Sequence, residues 1–125
     1  MPQLVVSEGS GASDLAPLAL AFNQIISLPV TMRSQDSPGV RVEKGSVLDE
    51  HYTGPVLEEV LRSGKLVRTI PDRGAYKGVP VSVAPITAGG KVVAAMGVVD
   101  LAGTVDLPEV FGAYADILRQ VKESR

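Results

Sequence analysis

The chain has 125 residues, with 12 Lys and Arg against 14 Asp and Glu and a net charge of -2. That length fits one compact domain, and the charge, with no basic run in the chain, argues against a nucleic-acid binder, which needs a clustered positive surface to neutralise phosphates. With 45% hydrophobic and 21% charged residues the composition makes no case for disorder, and the absence of cysteine excludes disulfides, thiolate nucleophiles, iron-sulfur ligation and Cys-type zinc sites.

In chain order, residues 1–12 hold the short apolar triplet Leu4 to Val6 and then Ser7-Glu8-Gly9-Ser10-Gly11, a composition that reads as a flexible N-terminal arm. No basic n-region precedes a long apolar stretch, and no window reaches the roughly 18 apolar residues of a membrane span, so the expectation is a cytoplasmic protein without membrane contact. From residue 13 to 125 the pattern is that of a single folded domain. Ser13 is placed to cap a helix in which Leu15, Leu18, Ala19, Phe22, Ile25 and Ile26 recur at helical spacing up to Pro29. The period then changes to two: Val30 to Arg33 and Val40 to Glu43 read as a hairpin, with Pro38-Gly39 suited to the centre of a type II turn. A third short strand is expected at Ser46 to Leu48.

Gly54-Pro55 opens a second helix with Val56, Leu57, Val60 and Leu61 on its inner face and Gly64 at its stop. Lys65 to Ile70 and Val79 to Ile86 read as strands on either side of a polar loop, Pro71 to Gly78. Thr87 to Gly90 then turns into the strand Lys91 to Asp100. Val92 to Val99 is an unbroken apolar run, as in a strand covered on both faces, and belongs in the middle of the sheet. Pro80 and Pro85 donate no ladder hydrogen bonds, so their strand must be interrupted, bulged or edge-like there. A last helix is expected from the Asp106 and Glu109 start, with Val110, Tyr114, Ile117, Leu118 and Val121 as its apolar stripe.

Hairpin-like links dominate this order. They predict an α+β domain with a mainly antiparallel sheet of five or six strands, flanked by N- and C-terminal helices. The order is similar to that of PAS and GAF sensory domains, and Val56 to Lys65 and Val83 to Gly97 look like GAF-type sequence. A closer resemblance runs from Leu15 onward, in Leu28 to Ser34, Pro38 to Val42, Tyr52 to Val60, Lys77 to Val81 and Gly97 to Asp100. It is to a family of small uncharacterised proteins from methanogenic archaea. That resemblance implies an archaeal cytoplasm and carries no catalytic residues with it.

No catalytic constellation, metal set or cofactor motif is assembled by the sequence. Gly9-Ser10-Gly11 lacks the third glycine of a dinucleotide fingerprint, Gly64-Lys65 is not a phosphate loop, and His51 beside Asp49 and Glu50 is a lone imidazole in a solvated turn. The candidates for ligand binding are Arg33, Arg41, Arg68 and Arg73, whose planar forks suit carboxylates and phosphates. Tyr76 in the polar loop and Asp100 at the end of the most apolar strand join them. Against these stand plainer readings: Arg33 and Arg41 as solvated outer residues of the hairpin, Asp100 as a rim carboxylate, and the loop as an exposed connection. The expectation is a regulatory module without catalytic activity that binds a small anionic metabolite and passes its signal to a protein partner. The alternative is a homodimeric interaction protein whose terminal helices pack across a two-fold axis. A small enzyme acting through His51, Asp100 or Tyr76 is the third.

Overall fold

Residues 2–100 are described in a computed structural model of the chain, and the expected C-terminal helix lies outside them. Two helices, α1 (Ala12–Ile26) and α2 (Pro55–Ser63), accompany six strands: β1 (Val30–Ser34), β2 (Gly39–Glu43), β3 (Ser46–Tyr52), β4 (Val67–Thr69), β5 (Val81–Ala88) and β6 (Lys91–Val99). The strands form one antiparallel sheet in the order β3-β2-β1-β6-β5-β4. The architecture is thus α+β. It consists of two three-stranded meanders, β1 to β3 and β4 to β6, sewn together by β1 against β6, from Val30 opposite Val98 to Ser34 opposite Ala94.

The apolar run becomes β6, and it does lie inside the sheet. Its alternate residues serve two separate cores. Ala95 and Val99 pack with Leu57, Val60 and Leu61 of α2 and with Val81 and Val83. Met96 and Val98 lie against the cluster of Leu15 and Ala19 of α1 with Val30, Met32, Val40 and Val42. The two helices therefore cover opposite faces of the sheet. Each fully buried Leu or Val contributes about 1.5–3 kcal/mol through area removed from water.

Several local expectations are corrected. The cap of α1 is Gly11 and not Ser13, because the Asp14 carboxylate reaches back to accept the Gly11 N–H at 3.0 Å. Ser10, expected in a flexible arm, is buried; its Oγ accepts from the Ser7 N–H and donates to the Val5 carbonyl. Strand β3 runs on through Tyr52, with two register shifts against β2, so His51 lies in a bulged edge strand and not in a turn. Pro85 lies beyond the reach of the three-residue β4, where β5 has a free edge that needs no donor.

Two side-chain amides fasten the layers. Asn23, buried on α1, donates to the Leu28 carbonyl at 2.9 Å and accepts from Gly45 N–H at 2.8 Å, tying the helix end to the β2–β3 turn. Gln35 donates to the carbonyls of Leu61 and Val92 at 3.0 and 3.2 Å, joining the end of α2 to β6.

Gly39 does not take the positive φ of a type II turn; it is the first residue of β2. Its need is for space: a Cβ there would lie 1.8 Å from the Met32 carbonyl oxygen. Gly39→Ala is expected to cost about 3 kcal/mol or more in urea unfolding, against less than about 0.5 for Gly9→Ala, whose added methyl meets nothing. Equal costs would show that the β1–β2 hairpin does not close as described.

Candidate functional site

On the α2 side of the sheet the helix reaches β1 through Arg33 and Glu58, but β2 and β3 lie beyond it, and polar and aromatic side chains gather there. Thr31 and Arg41 are opposite one another in the β1–β2 ladder, and Arg41 is opposite Asp49 of β3. Cross-strand partners share a face, so these three face the same way, away from Val30, Met32, Val40 and Val42.

The Pro71 to Gly78 loop folds over this area. It closes on itself through Gly78 N–H to the Pro71 carbonyl at 2.9 Å. Gly74 has φ +86, and a Cβ there would stand 3.1 Å from Pro55 Cδ, so the loop presses against the start of α2. Tyr76 reaches from the loop to β2, donating to Glu43 Oε2 at 3.1 Å. Its ring meets Tyr52 edge to face, with centroids 6.4 Å apart, and the Arg41 guanidinium lies 6.0 Å from its centre. Arg41 also pairs with Glu43 at 3.5 Å, while its Nε is buried with no hydrogen-bond partner among the described residues.

Beside this cluster is a small cavity of about 20 Å³, room for one or two waters. Its walls are mostly apolar, from Leu57, Val81, Val83, Val99 and Pro71, with Thr31, Tyr52, Tyr76 and Arg73 as the polar groups. The first turn of α2 also lines it, through Pro55, Val56 and Leu57, and no side chain caps that turn. An uncapped helix start leaves N–H groups and the positive end of the helix dipole available to an anion. Gly54 makes this approach possible: at φ +64 it turns the chain from β3 into α2, and a Cβ there would strike the Tyr52 ring at 2.6 Å.

The six sequence candidates divide between several places. Arg41 and Tyr76 meet, and Arg73 stands on the cavity wall nearby. Arg33 is on the same face, but its donors are engaged: it bonds the Ser34 and Gln35 carbonyls at 3.0 and 3.3 Å and pairs with Glu58 at 3.7 Å. Neither Arg33 nor Arg41 is the solvated outer residue of the plainer reading, their side chains being only 13% and 26% exposed. Arg68 and Asp100 lie with the other face. Arg68 is opposite Ser82, which is in turn opposite Val98, and the Ser82 hydroxyl donates to Asp100 Oδ2 at 2.6 Å. Glu43, Tyr52 and the first turn of α2 escaped the sequence reading. The clue for Glu43 was its place two residues after Arg41 in one strand, which puts both side chains on one face.

Burial raises both phenols above their ordinary value of 10.0, Tyr76 the more strongly because the Glu43 carboxylate beside it resists a second negative charge. For Tyr52 burial outweighs a pull downward by Arg41, and Asp49 adds a smaller push upward. A phenol that ionises later in the folded protein than in the unfolded chain adds stability that is whole below about pH 10. That stability drains away above it, as the unfolded chain releases its protons first. Stability measured by urea unfolding is expected to fall between about pH 10 and 11, and Tyr76→Phe to flatten that fall; equal slopes would place Tyr76 in solvent.

Comparison with known proteins places residues 22–102 in a family described as uncharacterised proteins conserved in archaea, DUF2111. The uncharacterised protein MJ0405 of the methanogen Methanocaldococcus jannaschii is 48% identical over 99 residues, which are 78% of this chain and 76% of that protein. No solved structure matches the chain.

Proposed function

The chain belongs to this archaeal family of uncharacterised proteins, and on that premise we propose that it is a regulatory module that binds a small anionic metabolite in the crevice between α2, the sheet and the Pro71 to Gly78 loop. The observation that carries this reading is one convergence. An uncapped helix start, the Arg73 guanidinium and the Tyr52 and Tyr76 rings line an otherwise apolar cavity. Apolar walls exclude water and strengthen the few polar contacts a ligand makes, which is the usual construction of a small-molecule site. At about 20 Å³ the cavity is closed to a metabolite, so binding requires the loop to move. The loop is built for that: Gly74 in its middle and Gly78 at its end, at φ +86 and +79, are positions able to absorb backbone rotation. Element order similar to that of PAS and GAF domains supports the same assignment, since a sheet face covered by a helix and a loop is where such a module holds its ligand.

The freshly purified protein is expected to carry a non-covalent anionic adduct in native mass spectra that is lost from the denatured mass. Arg73→Ala is expected to weaken the adduct about tenfold or more without lowering the melting temperature, since Arg73 is exposed and makes no ion pair among the described residues. Retention of the adduct by Arg73→Ala with undiminished affinity would remove the crevice from consideration.

A second reading, self-association, draws on the outer side of α1. Phe22 and Ile25 are 37% and 77% exposed there, and the helix has no charged residue after Asp14. A helix apolar on nearly every side is ordinarily covered. If α1 packs against a second copy, Ile25→Lys converts a dimer to a monomer in light scattering; a wild-type monomer at about 100 μM would end this reading.

A further inference from the structure

We infer that Glu43, through its bond from Tyr76 and its charge beside Arg41, holds shut a seat for a ligand carboxylate on the open edge of the Arg41 guanidinium, and that the site takes a small planar carboxylate. The inference rests on the reading of the crevice as a ligand site and deepens it.

Arg41 offers a flat fork of donors, whose best partner is a carboxylate held in the same plane with one oxygen on each of two N–H groups. Glu43 does not provide this. One oxygen, Oε2, takes both the Arg41 contact at 3.5 Å and the Tyr76 hydroxyl at 3.1 Å. The ion pair is longer than the roughly 2.8 Å of a good charge-assisted bond. The cause is the backbone. Arg41 and Glu43 stand two apart on one strand, projecting side by side from the same face, so Glu43 approaches the guanidinium from the flank and not along its fork. The Arg41 Nε accordingly stays buried and, among the described residues, unpaired, which is costly in a folded protein.

A free carboxylate has no such tether and can take Nε and Nη together. Tyr76 stands between that fork and the cavity: it lines the cavity, and its ring faces Arg41. When the loop swings out, the volume of the phenol ring adds to the cavity, and a flat ligand body takes its place over Arg41 and against the edge of Tyr52. Glu43, released from both contacts, turns to solvent. Glu43 thus holds the empty site shut by keeping Tyr76 over Arg41 and by partly neutralising the guanidinium from its Nη1 side.

Benzoate, titrated into the full chain and followed by the NMR shifts of the tyrosine rings, tests this at constant ionic strength beside acetate and inorganic phosphate. Benzoate is expected to bind wild type weakly, Glu43→Gln about fivefold more tightly, and Arg41→Lys, which keeps the charge and loses the fork, at least about tenfold more weakly. Glu43→Ala is expected to move in the same direction as Glu43→Gln and stands in if that variant does not fold. Equal or weaker binding by the Glu43 variants overturns the inference and leaves the crevice reading intact. Phosphate binding more tightly than benzoate overturns the carboxylate as ligand and likewise spares the crevice. No shift with any of the three anions, in wild type or in the Glu43 variants, removes both.

Discussion

Strand β6 must be dry on both sides, and the rest of the molecule is arranged around that requirement. A run from Val92 to Val99 with no charged residue cannot present either face to water, so something must cover each. Helix α1 and α2 do so from opposite directions, and β1 and β5 satisfy its backbone on both edges. Gly97 marks how close the layers come. A Cβ there would meet Thr31 Oγ1 at 2.8 Å and Val83 Cγ2 at 2.9 Å, with Leu57 of α2 just above. Because β6 pairs with β1 through residues 60 to 68 positions apart in the chain, the non-local step of the fold and its most apolar segment are one and the same.

Among the described residues, the two helices on opposite faces leave part of each face without a helix. On the α2 side the uncovered part is over β2 and β3, and it is there that Arg41, Glu43, Tyr52 and Tyr76 collect. The polar cluster is thus a consequence of where a nine-residue helix ends, and the cavity lies at the boundary between the helix-covered and loop-covered parts. Its aromatic and cationic groups come from three separate stretches of chain that meet only after the sheet has closed.

That is also why the fold was more legible than the site. The covered strand, the Gly54-Pro55 helix start, the Gly64 stop and the final hairpin at Gly89-Gly90 are local patterns, each fixed by residues within a few positions of one another. The pairings of Tyr76 with Glu43, 33 residues apart, and of Gln35 with Val92, 57 apart, have no local signature. Arginines could be marked as anion-seeking from their chemistry, but which ones share a face depends on strand register: Arg41 and Arg68 have the same residue type and fall on opposite sides of the sheet. Where the local reading failed, a longer-range contact decided. Gly39 was assigned a turn conformation, and the structure uses it for the close passage of β1.

The two register shifts between β2 and β3 have a consequence beyond this one molecule. An outermost strand of seven residues with a regular row of free amide and carbonyl groups is a template on which another chain can extend the sheet without limit. Here the extra residues break the spacing of that row, and Asp49 turns back to take the His51 N–H at 2.8 Å, withdrawing one of its donors. The irregularity therefore makes β3 a poorer template for edge-to-edge extension of the sheet than a flat, regular strand of the same length.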